Sequence, residues 1–219
     1  MRTRTTFDQA LSELQQDIIR MGFSVEEAIA HAVESLVGQD EIRAQGVIDG
    51  DVLIDNQHQL IEDKCLKLIA TQQPMAKDLR RIATGLMIIT DLERMADLAC
   101  DIAKITRRIA CEPLIKPLID IPRMAQIAQK MVKESLDAFV REDVQLAVSM
   151  AKEDDLVDSL HNQVFRELLL YMMENPKTIN QATALMFASR HLERIADHAT
   201  NIGERIVYLA TGERKDLND

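Results

Sequence analysis

LERMADLACD at positions 92–101 returns one hundred positions later as LERIADHATN at 192–201. In a helix, residues i, i+4 and i+8 share one side. Each copy therefore projects a row of oxygen-bearing side chains: Glu93, Asp97 and Asp101 in the first, Glu193, Asp197 and Asn201 in the second. Acids stacked at this spacing repel by a few tenths of a kcal/mol per pair. A pattern that repeats an unfavourable arrangement asks for a compensating charge.

The chain around these segments is doubled. Asp40 precedes Asp51 by eleven residues, as Asp143 precedes Asp154, and Asp55-x-x-His58 matches Asp158-x-x-His161. Pro74 matches Pro176. Apolar residues recur at helical spacing almost throughout, which predicts six long helices at about 6–37, 40–71, 76–111, 121–141, 143–173 and 178–211. Pro74 ends the second, Asn175 and Pro176 separate the fifth and sixth, and Gly212 suits a C-cap. CEPLIKPLIDIP at 111–122 carries three prolines and is the best boundary candidate. The expected architecture is all-α: two tandem repeated three-helix bundles, at 1–112 and 121–212, with a linker at 113–120 and a tail at 213–219.

Composition agrees with that class. Hydrophobic residues make up 47% of the 219, yet aromatics only 3% and Trp none, so a core must come from aliphatic side chains and Met. That mix favours helix packing over a sheet. The net charge of -10 argues against nucleic acid as a partner, which demands a basic face. No apolar run reaches the roughly 18 residues of a membrane span. The N-terminus lacks the apolar stretch of a signal peptide. Cys65, Cys100 and Cys111 are odd in number and lack CxxC spacing, which argues against a disulfide framework. A soluble, reduced, cytoplasmic protein is expected.

On a helical wheel, Ile88, Met95, Ala99 and Ile102 gather on the core side of the third helix, and Ile195, Ala199, Ile202 and Ile206 on that of the sixth. The acid rows fall opposite, beside the small residues Ala96, Cys100, Ala196 and Thr200, so they are expected to face outward as accessible surface columns. Two accounts of the rows stand. They are solvated faces balanced by Arg94–Asp97 and Arg194–Asp197 pairs, or they hold a hard cation such as iron, manganese or magnesium, which oxygen donors suit. Zinc needs histidine as well. His58 and His161 lie one turn after an aspartate. They are ligands of the ferritin-like Asp/Glu-x-x-His kind or polar rim residues. His198 points about 100° away from Asp197, and His31 and His191 are expected on the surface. Cys100 is expected to pack rather than ligate. No Gly-rich phosphate loop, GxSxG, HExxH or CxxC pair occurs, and the acid columns show no sign of the buried, pKa-split carboxylates that general acid-base work needs. No enzyme is expected.

The doubled ERxAD motif resembles that of the PhoU family of phosphate-uptake regulators. NIGERIVYLATG at 201–212, QPMAKDLR at 73–80 and YMMENPKTI at 171–179 are similar to family segments as well. The likeness spans about 7–212. It implies two three-helix repeats, each with a Glu/Asp-x-x-x-Asp motif on its third helix, matched here by Glu93 with Asp97 and Glu193 with Asp197. It implies a negative regulator of phosphate uptake and of the phosphate-starvation response. Such a regulator links the ATPase subunit of the phosphate ABC transporter to a sensor histidine kinase, reaching the membrane only through partners. Iron or zinc clusters at the acidic motifs and a homodimer are also implied. Ala96 and Ala196 stand where relatives often carry Gly, and His58 where an acid can occur. The competing class is a ferritin-like carboxylate-bridged diiron oxidase or metal-storage bundle; a third is a helical scaffold without metal.

Overall fold

The computed structural model describes residues 2–217, with side chains from residue 6 onward. Met1, at the start of the first expected unit, and Asn218 and Asp219, at the end of the expected tail, lie outside the described residues. The elements in chain order are α1 (Arg2–Gly38), α2 (Glu41–Gln72), α3 (Ala76–Ile109), α4 (Asp120–Arg141), α5 (Val144–Ala151), α6 (Asp154–Glu174), a 3-10 turn (Pro176–Thr178) and α7 (Ile179–Thr211). The described residues contain no strand.

The repeat is visible in the turns. α1 ends on Gln39 in the left-handed region (φ 51°), and α4 ends on Glu142 with the same φ of 51°. The next residue closes the old helix and caps the new one. Asp40 N–H donates to Ser35 O at 2.9 Å, as Asp143 N–H does to Ala138 O at 2.9 Å. The Asp40 carboxylate accepts from the amides of Ile42 and Arg43, each at 3.0 Å, and Asp143 from those of Gln145 and Leu146, each at 3.0 Å. A left-handed residue after the last turn satisfies orphan carbonyls, and an aspartate at the N-cap satisfies orphan amides. The eleven-residue spacing from each of these aspartates thus starts from equivalent helix ends. Gly212 closes α7 with φ 81°, its N–H reaching Tyr208 O at 2.8 Å.

One expected helix is interrupted. The fifth, at 143–173, is divided into α5 and α6 at Lys152 and Glu153. Glu153 N–H bonds back only three residues, to Met150 O at 2.9 Å, which tightens the turn. Glu153, Asp154 and Asp155 in succession suit a helix N-terminus, where the macrodipole favours negative charge, better than an interior. In the first repeat the same register carries Gly50, Asp51 and Val52, and α2 runs through.

α3 packs against α1, α2 and α7, while α7 packs against α3, α4, α5 and α6; α1 also meets α4. One continuous core joins the two halves, built from seams such as Leu14, Ile18, Met21, Val25 and Ile29 on α1. Gly22 sits where α1 and α4 approach, and a Cβ there would fall 2.1 Å from Leu136 Cδ1. Because α3 and α7 are covered on more than one side, little of their circumference reaches solvent. Ile88, Met95, Ala99 and Ile102, and Ile195, Ala199, Ile202 and Ile206, are all buried as the wheel predicts.

Candidate functional site

The acid rows do not stand on an open surface. Ala96 and Cys100 are buried beside the first row, Ala196 and Thr200 beside the second, and Glu193 itself is only 7% exposed. Glu93, Asp97, Asp101, Asp197 and Asn201 are half-buried. The expectation of outward columns is therefore corrected. The side opposite one packed face of α3 or α7 is closed by a neighbouring helix, so the rows border α2 and α6.

Those neighbours bring acids of their own. In the first repeat, Asp51 on α2 lies against Cys100 and close enough to Asp55 and Asp97 for burial, followed by these carboxylates, to raise its pKa. Burial, then Asp97, raises Glu93, while Arg94 and His58 act the other way. Arg94 pairs with Asp97 at 3.1 Å, as expected, and Lys104 with Asp101 at 2.8 Å. Arg94, also 3.4 Å from Glu93, and Lys104 thus partly neutralise this row, while Asp51 and Asp55 on α2 oppose it.

The second repeat is more strained electrostatically. Asp154 at the start of α6 is 8% exposed, and burial, then Asp197, Asp158 and Glu193, push its carboxyl up to about 7. Glu193 is pushed up to about 7 by burial and Asp197. Burial and Asp158 raise Asp197 as well. Asp154 Oδ1 and Glu193 Oε2 are buried without a hydrogen-bond partner. The expectation that the columns hold no buried, pKa-split carboxylates fails here, because desolvation of Glu193 and Asp154 comes from packing between helices. Arg194 does not form the expected ion pair with Asp197; Arg190 instead pairs with Glu193. Asn201 makes no side-chain hydrogen bond among the described residues.

The histidines sort differently. His161 Nδ1 meets Ser189 Oγ at 3.0 Å, and burial with Arg190 lowers its pKa. His58 is near Glu93. His191 is half-buried rather than on the surface, since α7 packs on α3 there; its Nδ1 has no partner, and burial lowers its pKa. His31 is exposed. His198 turns away from the acid row to meet Asp91 Oδ1 at 3.0 Å. Burial and Asp51 push the Cys100 thiol up to about 12, so without a bound metal it stays protonated at neutral pH.

Asp51 and Asp154 are the acids that a search of the repeated motif passes over. The available signal was the second ladder: Asp51 with Asp55 and Asp154 with Asp158, each four apart and at matching places in the repeats. Among the described residues, no group of three or more His, Cys, Asp or Glu side chains stands in an arrangement that would hold a metal ion as it is. The donor set nonetheless fits a hard cation. It is built of carboxylate oxygens, two of them buried and orphaned, in clusters that repel internally. Side-chain rotation would have to complete the shell.

A family model described as the PhoU domain matches residues 18–106 and again 121–206. The chain is 43% identical over 218 residues to the phosphate-specific transport system accessory protein PhoU homolog of Clostridium acetobutylicum, covering 99% of this chain and 100% of that protein. The homolog of the same description from Aquifex aeolicus is 43% identical over 203 residues, covering 93% and 92%. The crystal structure of PhoU from Pseudomonas aeruginosa matches with a TM-score of 0.90 at 36% identity, over 94% of this chain and 100% of that one. That of the phosphate transport system regulatory protein PhoU from Streptococcus pneumoniae matches with a TM-score of 0.89 at 31% identity, over 96% and 99%. With the domain matched twice, relatives aligned end to end and the same fold in solved structures, the chain belongs to the PhoU family.

Proposed function

We propose that this protein is a negative regulator of phosphate uptake and of the phosphate-starvation response, acting in the cytoplasm as a metal-binding adaptor. It would contact the ATPase subunit of the phosphate ABC transporter and a sensor histidine kinase. The observation that carries this is the end-to-end match to proteins described as accessory to phosphate-specific transport. No helix of the described residues is long and apolar enough to cross a membrane, so its action on a membrane system would run through partners. Exposed apolar side chains support protein contact, self-association included: Leu53 and Leu60 on α2 are 68% and 70% exposed, and Leu170 and Met173 on α6 are 59% and 79% exposed. A charge of -10 suits an adaptor better than a receptor for free phosphate, which an acidic surface repels. No catalytic step is assigned to it.

Deleting the gene in its source cell is expected to switch on phosphate-starvation genes in phosphate-rich medium, as measured by transcript levels. Normal repression there would overturn the regulator assignment.

The cation would sit in the acid clusters, with Glu93 and Asp97 beside Asp51 and Asp55 in one repeat and Glu193 and Asp197 beside Asp154 and Asp158 in the other. Bound iron, manganese, magnesium or zinc would neutralise carboxylates that now oppose each other, and would offer a cationic landing place for phosphate oxygens. Replacing Glu93, Asp97, Glu193 and Asp197 together by Ala is expected to abolish the metal content found by elemental analysis, while far-UV circular dichroism keeps its helical signal. Undiminished metal in that variant would remove the site assignment.

A further inference from the structure

α2 is apolar on two sides. Inward it buries Ala44, Val47, Ile54, Ile61, Cys65 and Leu68 where it packs on α1 and α3. Outward it leaves Ile42, Val52, Leu53, Leu60 and Leu66 exposed. A helix with one packed side ordinarily turns a polar face to solvent, so these outward side chains ask for a cover. The exposed positions are ordered. Asp49, Leu53, Asn56, Leu60 and Asp63 alternate in steps of four and three, with Ile42 one heptad before Asp49, and all are exposed. That is the 3.5-residue period of a seam between two helices. From Ile42 to Asp63 it runs about 32 Å.

Charge decides what kind of helix fits the seam. Residues 44–63 carry five acids and neither Lys nor Arg. Asp49 takes a hydrogen bond from the neutral Gln45 at 2.7 Å, and neither it nor Asp63 is in an ion pair among the described residues. The repeat does not dictate these acids. Asp51 and Asp154 are equivalent at an offset of 103 residues, and the same offset sets Lys152 against Asp49, Leu156 against Leu53 and Arg166 against Asp63. The acid seam is therefore peculiar to α2. A second α2, paired across a two-fold centred on Asn56, would set Asp49 against Asp63, and like charges oppose that dimer. The α6 of another copy would match the charges. But α2 packs on α1 and α3 while α6 packs on α4 and α7, so that contact is head-to-tail and would run on into a ring or an open chain of molecules. Anionic headgroups of a membrane are repelled by the same acids.

We propose that the outer face of α2 is a docking surface for a helix of a different protein, one that sets Lys or Arg opposite Asp49 and Asp63 and apolar side chains opposite Leu53 and Leu60. This rests on the adaptor reading above and names the kind of segment such an adaptor receives. Apolar contact supplies the adhesion, while the acids fix the register and reject acidic helices.

The probe is a fluorescent helical peptide of about four heptads with Leu and Lys alternating along its seam, and its control carries Glu in place of Lys. Fluorescence anisotropy with the full chain is expected to show the Lys peptide binding at least about tenfold more tightly than the Glu peptide. Asp49→Lys with Asp63→Lys is expected to reverse that preference. Leu53→Ser with Leu60→Ser is expected to weaken the Lys peptide at least about tenfold. All four positions are exposed, and circular dichroism checks that each variant keeps its helices. Equal binding of the two peptides, or no loss in the Ser variant, would overturn the proposal. So would association of the unaltered chain with itself, seen by sedimentation, that the Ser variant abolishes, since a second copy would then cover the face. The cell separates this proposal from the regulator reading. Full repression of phosphate-starvation genes by the Asp49→Lys, Asp63→Lys chain in a deletion strain would remove the docking face and leave the regulator standing. A deletion that changes no transcript would remove the regulator reading, and the peptides alone would then decide the face.

Discussion

Replacing Asp154 by Asn raises the melting temperature of the chelator-treated protein at pH 8 and leaves it nearly unchanged at pH 4; this is the expected outcome of a thermal melt followed by circular dichroism. The native carboxyl is pushed up to about 7 from an ordinary value of 3.8. Below pH 3.8 both folded and unfolded states hold the proton, so the group is neutral in either. Between that value and about 7 the folded state binds the proton and the unfolded state does not. Stability therefore falls as pH rises through this window and stays low above it. Glu193, also at about 7, adds a fall of the same sign. Asn keeps the shape, never ionises and removes the cost. Because Asp154 shares its field with Glu193, Asp158 and Asp197, the gain at pH 8 is set at about 1–3 kcal/mol, or about 2–12 °C in melting temperature. A hard cation should reverse the order. Saturating Mn²⁺ at a hundred times its dissociation constant stabilises the unaltered chain by about 2.7 kcal/mol and the variant by less. A variant that melts no higher than the parent at pH 8 without metal would show that Asp154 is solvated and not repelled.

This cost could not be read from a single helix. The ERxAD rows were legible because i, i+4 spacing on one helix is a one-dimensional pattern, and because a copy one hundred residues away confirmed it. The fold was legible for the same reason, with Pro74, Pro176 and the proline-rich stretch at 111–122 marking the joints. What the rows faced was not legible. Helix-wheel logic assigns one core side to each helix, whereas α3 and α7 are packed on more than one, so the face opposite Ile195 and Ile202 is itself covered. The burial of Glu193 and the approach of Asp154 to Asp197 are properties of the α6–α7 pair. The division of the fifth helix escaped because apolar spacing continues across 151–155, and only the run of acids there marks a new start. His191 was misplaced because its neighbours on α3 are distant in sequence.

Asp91→Ala is expected to lower stability by about 2–4 kcal/mol, seen as a fall of about 4–16 °C in melting temperature. Asp91 on α3 is 5% exposed. Its Oδ1 meets His198 Nδ1 at 3.0 Å and its Oδ2 meets Arg205 Nε at 2.9 Å, both across the α3–α7 joint. Truncation leaves the Arg205 guanidinium, with its side chain only 33% exposed, facing a gap without its carboxylate. Losing one partner of a buried pair costs more than the pair was worth, because the charge left behind keeps its desolvation penalty. Asn in place of Asp retains one acceptor and should recover part of the loss. Removing the Arg205 charge as well, as in Asp91→Leu with Arg205→Met, should recover much of it, with only the His198 hydrogen bond still missing, since apolar groups of similar size replace buried ion pairs at little cost. That contrast separates an uncompensated charge from a simple cavity, which the double replacement would not repair. The bridge is not duplicated. The hundred-residue offset sets His191 against Asp91, Leu98 against His198 and Ile105 against Arg205. The bridge therefore ties the two repeats at one place on the joint, and α3 and α7 are the helices that carry the two acid rows. If Asp91→Ala melts with the parent protein, the joint is held by apolar packing alone, and the spacing between the acid clusters owes nothing to this bridge.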